Sequence, residues 1–295
     1  MCKLCAIILN WNNYEETRDC IMSLVHSERT PDSIILVDNG STDNSSLLLK
    51  THFGKKITII NNSTNKGFAA GINVGIEAAC RNQSDYLLLL NNDAIVDRKC
   101  IGKMLHAFDN SENIGICGPR IYYYFKPEII WQGGGYFNYL TGGNVVPEKN
   151  HQPVSYIAKN RRVSFLTGCV MLIKRNVIEN IGMFNERIYF YEEDVDYCLR
   201  ARNAGFKLLY VTEAYAWHKV KGIKITEFAF FHRARSRLIV LRDNFQVPYF
   251  IYGIFMHIIY YTPYKLYQSI TRNTVKPFVA WLLGSLDGLK ASRRE

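Results

Sequence analysis

The chain has 295 residues, 48 % hydrophobic and 21 % charged, which suits one large α/β domain, or a domain of about 220 residues with an appendage, and excludes a disordered chain. Its net charge of +10 is uneven: residues 218–295 hold 13 Lys and Arg against 4 Asp and Glu, and residues 1–217 hold 23 against 22. A balanced globule is thus followed by a basic, aromatic-rich segment of the kind that meets nucleic acid or an anionic membrane.

Met1 leads into Cys2, Lys3 and a short strand-like run, not the long apolar core of a signal peptide, so the start reads as cytosolic. Among the eight scattered cysteines, Cys2 and Cys5 form a lone C-x-x-C with no second pair and no nearby His. That pattern reads as reduced, mostly buried thiols and not as a zinc site.

Cys5–Leu9 is the first predicted strand, and Cys20, Ile21, Leu24 and Val25 mark one face of the helix after it. Ser33–Val37 and Ile57–Ile60 are the second and third strands. Ile72, Ile76 and Ala79 follow at helical spacing, and Tyr86–Leu90, nearly all Leu, is a fourth strand buried on both faces. This alternation predicts a mostly parallel sheet covered by helices, with ligands beyond the carboxyl ends of the strands. Polar residues stand there: Asn10 and Asn12, Asp38 and Asn39, Asn91, Asn92 and Asp93. Residues 120–162 are less regular and read as the acceptor side. Val163–Arg175 reads as a returning strand, Val195, Cys198 and Leu199 as a short helix, and Lys207–Val211 as a last strand.

Five constellations carry chemistry. In VDNGSTDNS (37–45), Asp38 can accept hydrogen bonds from a nucleobase or ribose, or serve only a turn whose Ser41, Thr42 and Asp43 cap the next helix. In NKGFAAGINVGI (65–76), Gly67, Gly71 and Gly75 line one helix face for close packing. Lys66 either faces a diphosphate or is solvated, and the spacing is not that of a dinucleotide fingerprint. In LLLLNNDAIV (87–96), Asp93 follows a buried strand. It is a candidate ligand for a divalent metal whose other positions phosphates and water fill, or else part of a surface turn. In the run from Phe184 to Phe206, Glu192, Glu193, Asp194 and Asp196 crowd a helix start. Four carboxylates in five positions exceed what a cap needs, and mutual repulsion raises at least one pKa, as suits a general base. His218, in Trp217-His218, is a metal ligand or a structural imidazole.

In this order, LNWNN, VDNGSTD, NKGFAAGINVGI, LLLLNNDAIV, LTGCVMLIKR and YEEDVDYCLRARNAGF ending in WHK resemble glycosyltransferase family 2, and most nearly its bacterial rhamnosyltransferase-like branch, over about residues 4–245. The resemblance implies a GT-A fold over 1–225 and an inverting transfer of sugar, possible donors being dTDP- and UDP-sugars, to a glycan or lipid-linked glycan acceptor in surface polysaccharide synthesis. By position it implies that Asp38, with Asn10 beside it, contacts the base and that Asn65 and Lys66 border the nucleotide pocket. Asn91, Asn92 and Asp93 stand at the family's D-x-D motif, of which this chain keeps the last carboxylate. Asp93 and His218 then hold Mg²⁺ or Mn²⁺, and Asp194 of the Glu193-Asp194 pair is the base.

Two other classes compete. A sugar-phosphate nucleotidylyltransferase needs a Gly-rich, Arg-containing loop after the first strand, and LNWNN has neither. An inactive scaffold of the same fold has no need of Asp93, Asp194 and His218 together. The segment 226–295 reads as a helical tail. Its stretch from Asn244 to Tyr264 lacks any charged residue of the Asp, Glu, Lys or Arg type, but Pro248 and Pro263 interrupt it and Tyr outnumbers Leu. In-plane helices at the cytoplasmic face of a membrane fit this composition better than a span. The alternative is a helical hairpin packed on the catalytic domain or on a second copy in a homodimer. The aromatic stretches fit nucleic acid poorly.

Overall fold

The computed structural model describes residues 2–109, 113–138, 143–153, 159–220 and 226–292. Strand β1 (Leu4–Asn10) is followed by α1 (Tyr14–Val25), β2 (Ser33–Asp38), α2 (Ser45–Phe53), β3 (Thr58–Asn61), α3 (Gly67–Arg81) and β4 (Tyr86–Asn91). The four strands pair in parallel in the order β4-β1-β2-β3. Alternation decides which side each residue faces. Ile7, Ile35 and Val37 join one core with α3, whereas Leu4, Ala6, Ile8, Ile34 and Leu36 join the other with α1. The leucines of β4 face both cores and are buried, each worth roughly 1.5–3 kcal/mol against exposure.

Helix α3 lies close on this sheet because it lacks side chains where it touches. A Cβ on Gly75 would fall 2.3 Å from Ile7 Cγ2, and one on Gly71 would fall 2.7 Å from Leu9 Cδ1. Gly67 serves a different purpose from the other two. Its φ of +82° opens the helix beneath Tyr189, a left-handed turn that glycine adopts without Cβ strain.

The chain continues through β5 (Ala94–Val96), α4 (Cys100–His106), β6 (Ile114–Tyr123), β7 (Lys126–Gln132), β8 (Tyr136–Asn138), β9 (Gly143–Val145), β10 (Arg161–Val163), β11 (Val170–Lys174), α5 (Arg175–Ile181), α6 (Glu193–Asn203) and β12 (Lys207–His218). Antiparallel β11 seats β6 and then β12 beside β4, so the sheet is mixed at this end. The single strand expected over 163–175 is two, β10 and β11, separated by the turn that carries Thr167-Gly168. The strand expected to end at Val211 runs on to His218 through a register shift between Val211 and Tyr215.

Four helices follow: α7 (Glu227–Asn244), α8 (Val247–Met256), α9 (Thr262–Ile270) and α10 (Lys276–Lys290), with a π-turn at His257–Tyr261 joining α8 to α9. Helix α7 is fastened to the sheet domain. Arg187 pairs with Asp243, Asn244 donates to Asp196 Oδ1 at 2.9 Å, and Ser236 Oγ donates to the Phe190 carbonyl at 3.1 Å. Helix α10 nests on α7 through Gly284 and Gly288, where a Cβ would meet the carbonyls of Phe231 and Arg235. Among the described residues no helix is long and apolar enough to cross a membrane; the uncharged stretch 244–264 runs from the end of α7 through α8 and the π-turn into the first turn of α9, with helical backbone angles at the last two junctions.

Candidate active site

The ends of β1, β2 and β4 lie side by side, with Asn10 opposite Asp38 and Leu9 opposite Asn91. Above them opens a pocket of about 370 Å³, lined by Leu9, Trp11, Asn13, Asn39, Asn65, Gly67, Phe68, Asn91, Asn92, Asp93, Tyr189, Phe190 and Phe228. Five of the residues expected from sequence therefore line it: Asn39, Asn65, Asn91, Asn92 and Asp93.

Asn10 and Asp38 sit beneath the pocket. Asn10 Nδ2 donates to Asp38 Oδ1 at 2.8 Å and to Ser45 Oγ at 3.0 Å, and Asn10 Oδ1 accepts from Thr17 Oγ1 at 2.8 Å. Asp38 Oδ2 accepts the Ser41 amide at 3.1 Å. Both are almost fully buried, so here they tie the loop after β2 to the first strand and helix. Asp43, the expected cap, accepts the Ser45 amide at 3.0 Å. Lys66 is exposed at the rim, its amide 3.3 Å from Asn39 Oδ1. Asn39 in turn donates to Asn65 Oδ1 and to the Gly67 carbonyl, both at 3.0 Å.

Asp93 and His218, 125 positions apart, meet at 2.9 Å, Oδ1 to Nε2. The ladder between β5 and β12 brings them together. It sets His218 opposite Ala94, and the Lys219 amide donates to the Asp93 carbonyl at 2.9 Å. Trp131 stands edge-on to the buried imidazole at 4.3 Å. His218 Nδ1 is buried without a hydrogen-bond partner among the described residues, so Nε2 is the ring nitrogen that faces a charge. This donor set fits a small divalent ion: two ligand bonds of about 2.1 Å at a right angle place their donor atoms about 3 Å apart. No cluster of three or more His, Cys, Asp or Glu suited to a metal occurs among the described residues, so an ion here needs oxygen ligands from a diphosphate or water.

The acidic run at the start of α6 divides by environment. Asp196 is buried in an ion pair with Arg200 at 2.9 Å and is structural. Glu192 accepts from Asn144 at 2.9 Å. Asp194 Oδ2 accepts the Gly168 amide at 3.0 Å, and its Oδ1 accepts the Val195 amide at 2.8 Å. Burial and then repulsion from Asp194 push the Glu193 carboxyl well above the usual range, and Glu193 Oε2 has no hydrogen-bond partner among the described residues. Burial also raises Asp194, against the pull of the Gly168 and Val195 amides. Both carboxyls are thus raised, Glu193 the more strongly, Asp194 being held back by the Gly168 and Val195 amides.

The turn before β11 links the two halves of the site. The Cys169 carbonyl accepts the Asn91 amide at 2.9 Å, while the neighbouring Gly168 amide binds Asp194. The Cys169 thiol is pushed up first by burial, then by Asp93, Cys20 and Asp194, so it feels both carboxylates. Tyr191 and Glu192 hold φ of +64° and +67°, a strained entry to α6 of order 1–3 kcal/mol per residue.

Trp11, Asn13, Phe68, Tyr189, Phe190 and Phe228 are pocket residues that sequence reasoning did not single out. Trp11, 55 % exposed just past β1, carried a signal, since a large aromatic beyond a strand end needs a reason. Phe228 carried none: it arrives from α7, beyond the expected domain boundary.

Strand ends in a crescent, with a carboxylate–imidazole pair and a buried acidic pair beside them, are the layout of a GT-A glycosyltransferase. The chain resembles solved structures of that fold: GalNAc-T7 with UDP, GalNAc and Mn²⁺ (TM-score 0.62, 16 % identity, 80 % of this chain and 47 % of that one), and the Pyrobaculum calidifontis mannosyltransferase PcManGT with GDP-Man and Mn²⁺ (0.60, 11 %, 98 % and 87 %). The profile of Glycosyl transferase family 2 matches residues 5–182, and the chain belongs to that family. Its relatives place it in the rhamnosyltransferase-like branch. The dTDP-rhamnosyl transferase RfbF of Shigella flexneri is 23 % identical over 97 % of this chain and 95 % of its own length. The N-acetylglucosaminyl-diphospho-decaprenol L-rhamnosyltransferase of Mycobacterium tuberculosis is 24 % identical over 67 % and 70 %. The hexosyltransferase Agl10 of Haloferax volcanii is 27 % identical over 70 % of this chain, which spans 63 % of that relative.

Proposed function

We propose that this chain moves a sugar, rhamnose first among the candidates, from a dTDP- or UDP-linked donor to a glycan or lipid-linked glycan with inversion, in cell-surface polysaccharide synthesis. The observation that carries the reading is the pocket at the strand ends: Asp93, which lines it, is hydrogen-bonded to His218, and Phe68, which also lines it, stands close to Gly168, whose amide binds Asp194. The donor's base enters beside Trp11, in reach of the Asn10–Asp38 loop, and its diphosphate lies toward Asn65, Lys66, Asn91 and Asn92. Asp194 takes the proton of the acceptor hydroxyl, and that oxygen attacks the anomeric carbon on the face opposite the diphosphate. Charge develops on the ring as it does in glycoside hydrolysis. Asp93 and His218 would hold a Mg²⁺ or Mn²⁺ ion, which would supply charge neutralisation to the leaving diphosphate. Glu193, protonated, adds no second negative charge next to the base.

The broad apolar surface of α8–α10, with Ile251, Phe255, Ile258, Ile259, Leu283 and Leu286 each at least half exposed, supports a division of labour after α7. On this reading the sheet domain and α7 form the catalytic body, and α8–α10 rest on the cytoplasmic face of a membrane near a lipid-linked acceptor. The test is turnover of a nucleotide-sugar panel with Mn²⁺ present. Release of nucleoside diphosphate from one donor, lost in Asp93→Ala, is the expected result. No turnover of any donor while binding persists would favour the inactive scaffold.

A further inference from the structure

The left-handed residues Tyr191 and Glu192 stand directly before the carboxyl pair Glu193 and Asp194. Backbone of this kind persists only where the surroundings over-determine it. Helix α7 supplies a run of contacts that do so. Arg235 donates through Nη1 to the Arg187 carbonyl. The His232 ring stacks on Tyr189 at 5.1 Å. Ser236 is fully buried, and its Oγ donates to the Phe190 carbonyl at 3.1 Å. The half-buried Arg233 lays its guanidinium over the Tyr191 ring at 4.4 Å. Residues 232–236 of one helix thus grip segment 187–191 along its length. Further along α7, Asn244 Nδ2 donates to Asp196 Oδ1 at 2.9 Å, so the helix holds the chain both before and after Asp194.

The same segment is tied to the donor pocket by a different element. The Tyr189 carbonyl accepts the Phe68 amide at 3.1 Å, and a Cβ on Gly67 would fall 2.5 Å from that carbonyl. Helix α3 therefore fastens the segment at Tyr189, a pocket residue, whereas α7 fastens it at Phe190 and Tyr191, on the way into α6. Arg233 and Ser236 are not among the residues that line the pocket. Loosening their contacts should disturb the entry to α6 while the tie from α3 keeps the donor wall in place.

We propose that Arg233 and Ser236 are positioning residues for the transfer step: through the Tyr191 ring and the Phe190 carbonyl they fix the left-handed entry to α6, and with it the placement of Asp194. This rests on the reading of Asp194 as the base and adds to it the helix that holds the base in place. A base acts only within a narrow range of distance and angle, so a small displacement is read in the rate before it is read in the fold.

The full chain is compared with Arg233→Gln, Arg233→Lys and Ser236→Ala, each also made in the Asp194→Asn background. Turnover, calorimetric donor affinity, melting temperature and amide hydrogen exchange over Gly168 and Val195 are measured. Those two amides donate to Asp194, so their exchange reports its placement even without a reaction. In Arg233→Gln and Ser236→Ala, kcat should fall at least about tenfold, and exchange at the two amides should quicken at least about tenfold. Donor affinity should stay within about threefold and the melting temperature within about 3 °C. Arg233→Lys keeps a cation over the ring and should recover most of the loss. In the Asp194→Asn background the same substitutions should change kcat less than about twofold, because no base is left to misplace. Unchanged exchange overturns the proposal, and so does quickened exchange with an unchanged kcat. Loss of donor affinity and melting temperature in step with kcat makes the contacts merely structural and overturns it as well, as does a full effect in the Asp194→Asn background. Failure of the reading beneath it looks different: parental kcat in Asp194→Asn itself, or no turnover of any donor by the parent, rejects Asp194 as the base, while quickened exchange in the α7 variants still upholds the grip of α7 on the entry to α6.

Discussion

Replacing Asp194 by Asn is the sharpest test of the chemistry, because it removes a negative charge and little volume. The structure makes two opposite demands of this residue. As the base it must be ionised, and losing it should lower kcat at least about a hundredfold, or about 2.7 kcal/mol of barrier at 1.36 kcal/mol per tenfold. As a carboxylate raised by burial it is held in the fold at a cost. A carboxyl whose folded pKa lies above its unfolded value destabilises the protein at all pH values above the folded pKa, and the penalty is relieved as pH falls toward the unfolded value. Asp194→Asn should therefore melt no lower than the parent at neutral pH, with the difference shrinking in acid. Donor affinity should hold, because the pocket lining is untouched, although the Asn oxygen serves only one of the two amides, Gly168 and Val195, that Asp194 accepts. Parent activity should fall as pH drops through the raised pKa, and the residual activity of Asp194→Asn should be flat there. Glu193→Gln imitates the protonated partner and should cost far less than Asp194→Asn. Steady-state kinetics, calorimetric donor binding and thermal melts at several pH values measure all of this. If donor binding and melting temperature collapse along with kcat, Asp194 is a structural cap and the reasoning fails.

Asp93→Ala should abolish transfer, and His218→Ala should shift the metal titration to higher concentration without abolishing activity, since phosphate oxygens remain as ligands; full transfer in excess chelator is the contrary result. Trp11→Ala should raise the donor KM with little change in kcat, as expected for uniform binding of the base, and a kcat effect alone would contradict its placement. Gly75→Ala forces a methyl to within 2.3 Å of Ile7 and should lower stability by about 1–3 kcal/mol, read in urea melts; an unchanged midpoint would mean that α3 shifts freely. The full chain should float with anionic liposomes and be partly released by high salt, a version ending near Phe245, just past α7, should not float, and indifference of the full chain to liposomes would make α8–α10 a packing or dimerisation surface.

Local order determined much of this protein before any fold was drawn. The alternation of β1 to β4 with their helices, the glycines of α3, the polar strand ends and the acidic start of α6 are all written in short windows, because a strand repeats every two residues and a helix every 3.6. What only the tertiary structure decided is who meets whom across long separations. Nothing within a window says that the β5–β12 ladder sets Asp93 against His218, or that the turn at Gly168 binds Asp194. Nor does a window separate Asp196, neutralised by Arg200, from Asp194 beside it, since burial and partners part chemically identical groups. The end of the catalytic body was equally hidden. Helix α7 begins in a basic stretch that composition assigns to the tail, yet it brings Phe228 to the pocket and Arg233 over Tyr191, because its fit against α6 is a property of two surfaces that exist only after the sheet has formed.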